Sequence, residues 1–158
     1  NLINDTTSLN YVLDTKIPFE MVVCRYGKPS GTDAVRVSPD DIKSKLIGKG
    51  PKAETPITGR NGGEFSTFGD YSLNLFSNID LHGNPPSRAL FDMVAVAILK
   101  NSSWGETFEI PAPVYFDEQW VERPSNNRKI TVWENFNKEA VMKDFYDTFD
   151  NYTLATTP

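Results

Sequence analysis

The sequence predicts an α/β fold: an open, mostly parallel sheet flanked by helices, with a small β-rich appendage before the final helix. Three observations predict it. In the first part of the chain, segments with apolar residues at helical spacing alternate with short, nearly continuous apolar runs, as when helices cover both faces of a parallel sheet. Glycines and prolines punctuate these segments. The last third changes to short strand-like segments divided by a hairpin signal.

The elements follow in order. Asn1-Leu2-Ile3 reads as the tail of a strand. Asp5 then caps a helix whose stripe is Leu9, Val12 and Leu13. Pro18 ends it, and Phe19 to Cys24 is a buried strand, so strand, helix and strand make a βαβ unit. Arg25 to Asp33 is a loop. Ser38-Pro39-Asp40-Asp41 starts the next helix, with a capping serine, a first-turn proline and acids at the positive end. Residues 51–64, rich in glycine and proline, form a flexible connection. Phe65, Phe68, Tyr71, Leu75 and Phe76 fall at helical spacing, and Asn78 to Pro86 is a loop. The helix begun near Asp92 is apolar all round and should be buried. Phe108 to Phe116 and Trp120 to Glu122 are strands joined at Asp117-Glu118-Gln119, and Lys129 to Trp133 is another. Asn137 caps a closing helix with Val141, Phe145, Phe149 and Tyr152 on one face. No internal repeat or clean boundary divides the 158 residues, so one domain is expected.

Composition narrows the function. Hydrophobic residues make up 39% and aromatics 12%, which suits a folded globular chain. The net charge is −5, and no run of lysines and arginines occurs, so neither nucleic acid nor an anionic membrane surface is an expected partner. No apolar stretch approaches the roughly 20 residues that span a bilayer. The single cysteine, Cys24, rules out an internal disulfide framework and reads as a core residue.

Three places could carry chemistry. Asn1 and Asn4 flank the expected carboxyl end of a strand, where ligands collect in open α/β sheets, and an asparagine can both donate to and accept from sugar hydroxyls. Asp92 puts a carboxylate at the mouth of the apolar helix, either as an N-cap or as one ligand of a hard cation. His82, Asn84 and Arg88 lie in the polar loop before it. No nucleophile-elbow serine, phosphate-cradling loop or histidine–cysteine zinc cluster is present. From these residues alone the reading stops at an α/β domain with a possible polyol site.

Order and spacing add a resemblance. The run Asn1-Leu2-Ile3-Asn4-Asp5-Thr6-Thr7-Ser8-Leu9, then Ile17-Pro18-Phe19-Glu20-Met21-Val22-Val23, resembles the middle of the inosine–uridine type of nucleoside hydrolase. Ser38-Pro39-Asp40-Asp41-Ile42 resembles that family's next helix start. Phe91-Asp92-Met93, followed by Val94-Ala95-Val96-Ala97, resembles its His-Asp-Pro segment and the helix after it.

The resemblance implies that residues 1–158 are the carboxy-terminal part of a single nucleoside hydrolase-like domain, whose partner is the amino-terminal half of the same protein. It implies calcium-dependent hydrolysis of the N-glycosidic bond of ribonucleosides by the whole protein. The calcium would be held by an amino-terminal aspartate cluster and by Asp92, with Asn1, and with it Asn4, beside the ribose. Family members are commonly dimers or tetramers. Phe91 departs from the family, standing where its histidine protonates the departing base. A phenyl ring transfers no proton but can stack on a base, which leaves His82 as the acid candidate. The alternative is a non-catalytic glycoside- or carbohydrate-binding protein on the same scaffold. A bacterial cytoplasmic and a periplasmic or secreted location stay equally open.

Overall fold

The computed structural model describes residues 2–152. The chain is a mixed α/β structure centred on a three-stranded sheet. Leu2–Asn4 forms a turn of 3-10 helix where the tail of a strand was expected. Asp5 then caps α1, Thr6–Asp14, by accepting from the Ser8 N–H at 2.9 Å. β1, Glu20–Val22, follows. β2 is Arg36–Val37, and α2 is Pro39–Lys45. The start of α2 is a full capping box: Ser38 accepts from the Asp41 N–H, and the Asp41 carboxylate accepts from the Ser38 N–H and hydroxyl.

Residues 51–64 are not an irregular connection. β3, Lys52–Thr58, and β4, Glu64–Thr67, pair antiparallel across the turn 59–63. Gly62 and Gly63 take φ of 79° and 83°, which a side chain would resist. The glycine- and proline-rich composition suggested a loop, yet its glycines make the hairpin turn, and Pro56 sits in an exposed strand where it breaks no ladder. α3 is Phe68–Ser77, β5 is Arg88–Ala89, and α4 is Phe91–Lys100. β6, Glu106–Pro111, β7, Val114–Phe116, β8, Gln119–Val121, and β9, Lys129–Glu134, precede α5, Lys138–Asp150. The β7–β8 hairpin turns at Asp117 and Glu118, both with positive φ. Among the described residues no helix is long and apolar enough to cross a membrane.

The sheet order is β1-β9-β6, with β1 parallel and β6 antiparallel to β9. β2–β5, β3–β4 and β7–β8 are separate two-stranded pairs. The described residues therefore form one parallel pair and no doubly wound sheet, and no strand precedes α1 among them to complete a βαβ unit. The late strands are not an appendage, since β9 and β6 supply two of the three strands of the main sheet. Alternation along β9 separates two cores. Ile130 and Val132 join Leu9, Leu13 and Ala112 beneath α1. Trp133 and Val22 pack on the opposite face against Val94, Ala97, Ile98 and Val141. A third cluster, Val37, Ile42, Leu46 and Phe149, ties α2 to α5. α4 is less buried than its apolar sequence suggests: Val96 is 58% and Leu99 87% exposed, because only one side of the helix meets the sheet and α5.

Leu13 has no exposed surface. Leu13→Ala should lower the unfolding free energy by about 2–5 kcal/mol in urea titrations. Hydrogen bonds from Ser38 hold the Asp41 carboxyl below its ordinary value of 3.8. A carboxylate with a lowered folded pKa stabilises above its unfolded pKa, and this stabilisation is lost as pH falls through the folded value. The stability gap between wild type and Asp41→Asn should thus be constant above about pH 5 and close below about pH 4 in unfolding curves.

Candidate functional site

A cleft of about 630 Å³ opens in the loop beyond the carboxyl end of β1, against the start of α4. Its walls include Tyr26, Asp33, Arg36, His82, Arg88 and Phe91. The loop turns back over its own strand: Thr32 N–H donates to the Val23 carbonyl at 3.0 Å, and Asp33 N–H to the Cys24 carbonyl at 3.1 Å. Gly31 permits this approach, since a Cβ there would lie 2.0 Å from the Cys24 oxygen. The result places the Tyr26 ring edge-on to Phe91, 5.6 Å between centroids at 70°.

Arg36 fastens the second wall to the first. Its Nη1 donates to Asp33 Oδ1 at 2.9 Å, its Nε to Ser87 Oγ at 2.9 Å, and its Nη2 to the Ser87 carbonyl at 2.9 Å and the His82 carbonyl at 3.3 Å. The other oxygen of Asp33 accepts from the Gly27 N–H at 2.9 Å. Asp33, the one carboxylate among the cleft's described walls, is thus committed to the scaffold. His82 and Ser87 exchange backbone hydrogen bonds of 2.9 and 3.0 Å, closing the turn that presents the histidine. Arg88 donates to the Asp80 carbonyl at 3.1 Å.

His82 and Phe91, singled out separately in the sequence, therefore meet in one cleft. Asn4 does not join them: it is exposed, ends the 3-10 turn, and lies directly before the cap of α1. Asn1 lies outside the described residues. Asp92 is exposed in the first turn of α4, and it is not the N-cap, a place taken by Leu90 without a side-chain cap. Its charge suits the positive end of the helix. Among the described residues no group of three or more His, Cys, Asp or Glu side chains converges. Calcium takes about six to eight oxygen ligands, so Asp92 and its described surroundings do not by themselves fit that ion.

Tyr26, Asp33 and Arg36 were not anticipated. The available signal was a tyrosine and an Asp-x-x-Arg pair flanking a glycine-rich loop after an apolar strand. The chain has no significant match among protein-family models, curated proteins or solved structures.

Arg36→Ala should speed exchange of the His82 and Ser87 amides at least about tenfold while the β6–β9 amides stay protected, as read by hydrogen-exchange NMR. Arg36→Lys should not restore protection, because a single ammonium lacks the planar fork that reaches three groups at once.

Proposed function

We propose that the cleft holds the base end of a nucleoside, and that the chain belongs to a calcium-dependent nucleoside N-glycosidase built on a nucleoside hydrolase-like scaffold. The observation that carries the reading is the meeting of His82 with the Tyr26–Phe91 ring pair in one cleft. Two aromatic rings give a planar base a surface to stack on. A histidine beside it can deliver a proton to the departing nitrogen as the sugar develops oxocarbenium character. Water then adds to the anomeric carbon and gives up a proton to the now neutral His82, the electron pair of the broken bond having left with the base. Asp92 would contribute one carboxylate to the calcium, the remaining ligands coming from acidic residues outside the described chain. Asn1 would face the ribose in this reading.

One observation favours a non-catalytic glycoside-binding protein as the second reading. Asp33, the cleft's described carboxylate, is occupied by Arg36 and the Gly27 N–H, which leaves no free carboxylate beside the rings among the described residues.

The two readings part in one set of assays on the protein with calcium and with a chelator. In the glycosidase, His82→Asn should lower ribose release by about 100-fold with inosine or uridine affinity nearly unchanged. Phe91→Ala should weaken nucleoside binding about tenfold, in line with base–aromatic stacking. Tight binding without ribose release would assign the binding protein. Nucleoside affinity indifferent to both Tyr26→Ala and Phe91→Ala would remove the cleft from either reading.

A further inference from the structure

A second cleft, of about 420 Å³, lies between the β3–β4 ribbon and the start of α3. It shares no lining residue with the cleft beside Phe91. Its size falls in the range of small-molecule sites, roughly 300–1,000 Å³. Three aromatic rings form one wall: Phe65 stands edge-on to Tyr71 at 5.9 Å, and Phe68 is 6.3 Å from the same ring. Ile57, the cross-strand partner of Phe65, also lines the cleft and is 63% exposed, and Phe68 is 49% exposed. These are large apolar groups left open to water around a concave surface.

The charged residues of the lining are Lys52 and Arg60, with no Asp or Glu among them. Among the described residues neither cation lies within ion-pair distance of a carboxylate. The nearby Asp70 is already committed, accepting from the Thr67 hydroxyl at 2.6 Å and the Gly48 N–H at 3.0 Å. Two cations in an otherwise uncharged lining, unpaired among the described residues, make this cleft complementary to an anion with an apolar body. Arg60 sits in the 59–63 turn, whose backbone closes on the Phe65 ring: a Cβ on Gly59 would lie 2.7 Å from Cε2 of Phe65. Lys52 stands at the other end of the paired ribbon, opposite Thr67.

We propose that this cleft binds a small amphipathic carboxylate, its apolar body against Ile57, Phe65, Phe68 and Tyr71, and its carboxylate on Arg60. The planar guanidinium offers paired donors to a carboxylate. Lys52 adds attraction from the far end of the cleft. The site is separate from the nucleoside cleft, and its occupancy is independent of any glycosidase activity.

The test uses 1-naphthoate and its uncharged analogue 1-naphthalenemethanol, titrated into the protein and followed by tyrosine and tryptophan fluorescence and by amide NMR shifts. 1-Naphthoate should bind saturably, moving amides within residues 52–71, and about tenfold more tightly than the alcohol. Arg60→Gln should erase that tenfold advantage without affecting the alcohol, and Lys52→Gln should weaken 1-naphthoate about two- to threefold. Ile57→Ser should weaken both compounds. Arg60, Lys52 and Ile57 are exposed, so these variants should keep the wild-type fold, checked by their amide spectra. Equal affinity for the two compounds, no saturable shift at millimolar ligand, or 1-naphthoate binding indifferent to both Arg60→Gln and Ile57→Ser would each overturn the proposal.

Discussion

The pairing of β9 with β1 on one edge and β6 on the other is the constraint on which the structure depends. β9 is the central strand, and its alternating side chains enter two cores on opposite faces of the sheet. A shift of one residue in its register would send Ile130 and Val132 to the face of α4 and Trp133 to the face of α1. The register is also marked by a polar contact, since the Trp133 indole donates to Glu20 at 2.6 Å. The helices are placed by this sheet: α1 lies over one face, α4 and α5 over the other, and α2 and α3 dock on α5 through Phe149 and its neighbours.

The cleft beside Phe91 inherits its position from the same pairing. β1 ends where the loop carrying Tyr26 and Asp33 begins, and the Ser30 carbonyl accepts from the Asn135 N–H just past β9, at 2.7 Å. One wall is therefore anchored to the central strand. The other wall is held by short strand pairs, by Arg88 on the Asp80 carbonyl, and by Arg36, whose guanidinium touches Asp33, His82 and Ser87 together. Such a division ties one half of the site to the central strand and joins the other half to it through a single side chain, Arg36.

Local signals were legible in the sequence where they are satisfied locally. Ser38, Pro39 and Asp41 announce the start of α2 because a capping box involves residues three apart. Asp5 and Asn137 mark their helices for the same reason. The β7–β8 hairpin was visible from its short polar turn. What could not be read was set by distant partners. Nothing near Phe19 to Cys24 says that its neighbour is Lys129–Glu134, and nothing within α4 says that Val96 and Leu99 will face water. The β3–β4 ribbon was hidden by its own turn residues. At the site, His82 and Phe91 stood out by residue type, but their union with Tyr26 and Arg36 depends on a loop folding back over its strand at Gly31.

The distance along the chain between the sheet's parallel neighbours also shapes how the molecule comes into being. Glu20 and Trp133 are 113 residues apart, so at ordinary rates of translation roughly ten seconds pass between the birth of β1 and the arrival of its partner. Until then Met21 and Val22 have no sheet to join, and neither core can close. Assembly of the centre is therefore a late event that waits for β9, and the nascent chain carries sticky, unpaired segments throughout that wait. Such a protein should draw on holding chaperones more heavily than one whose strands pair with near neighbours.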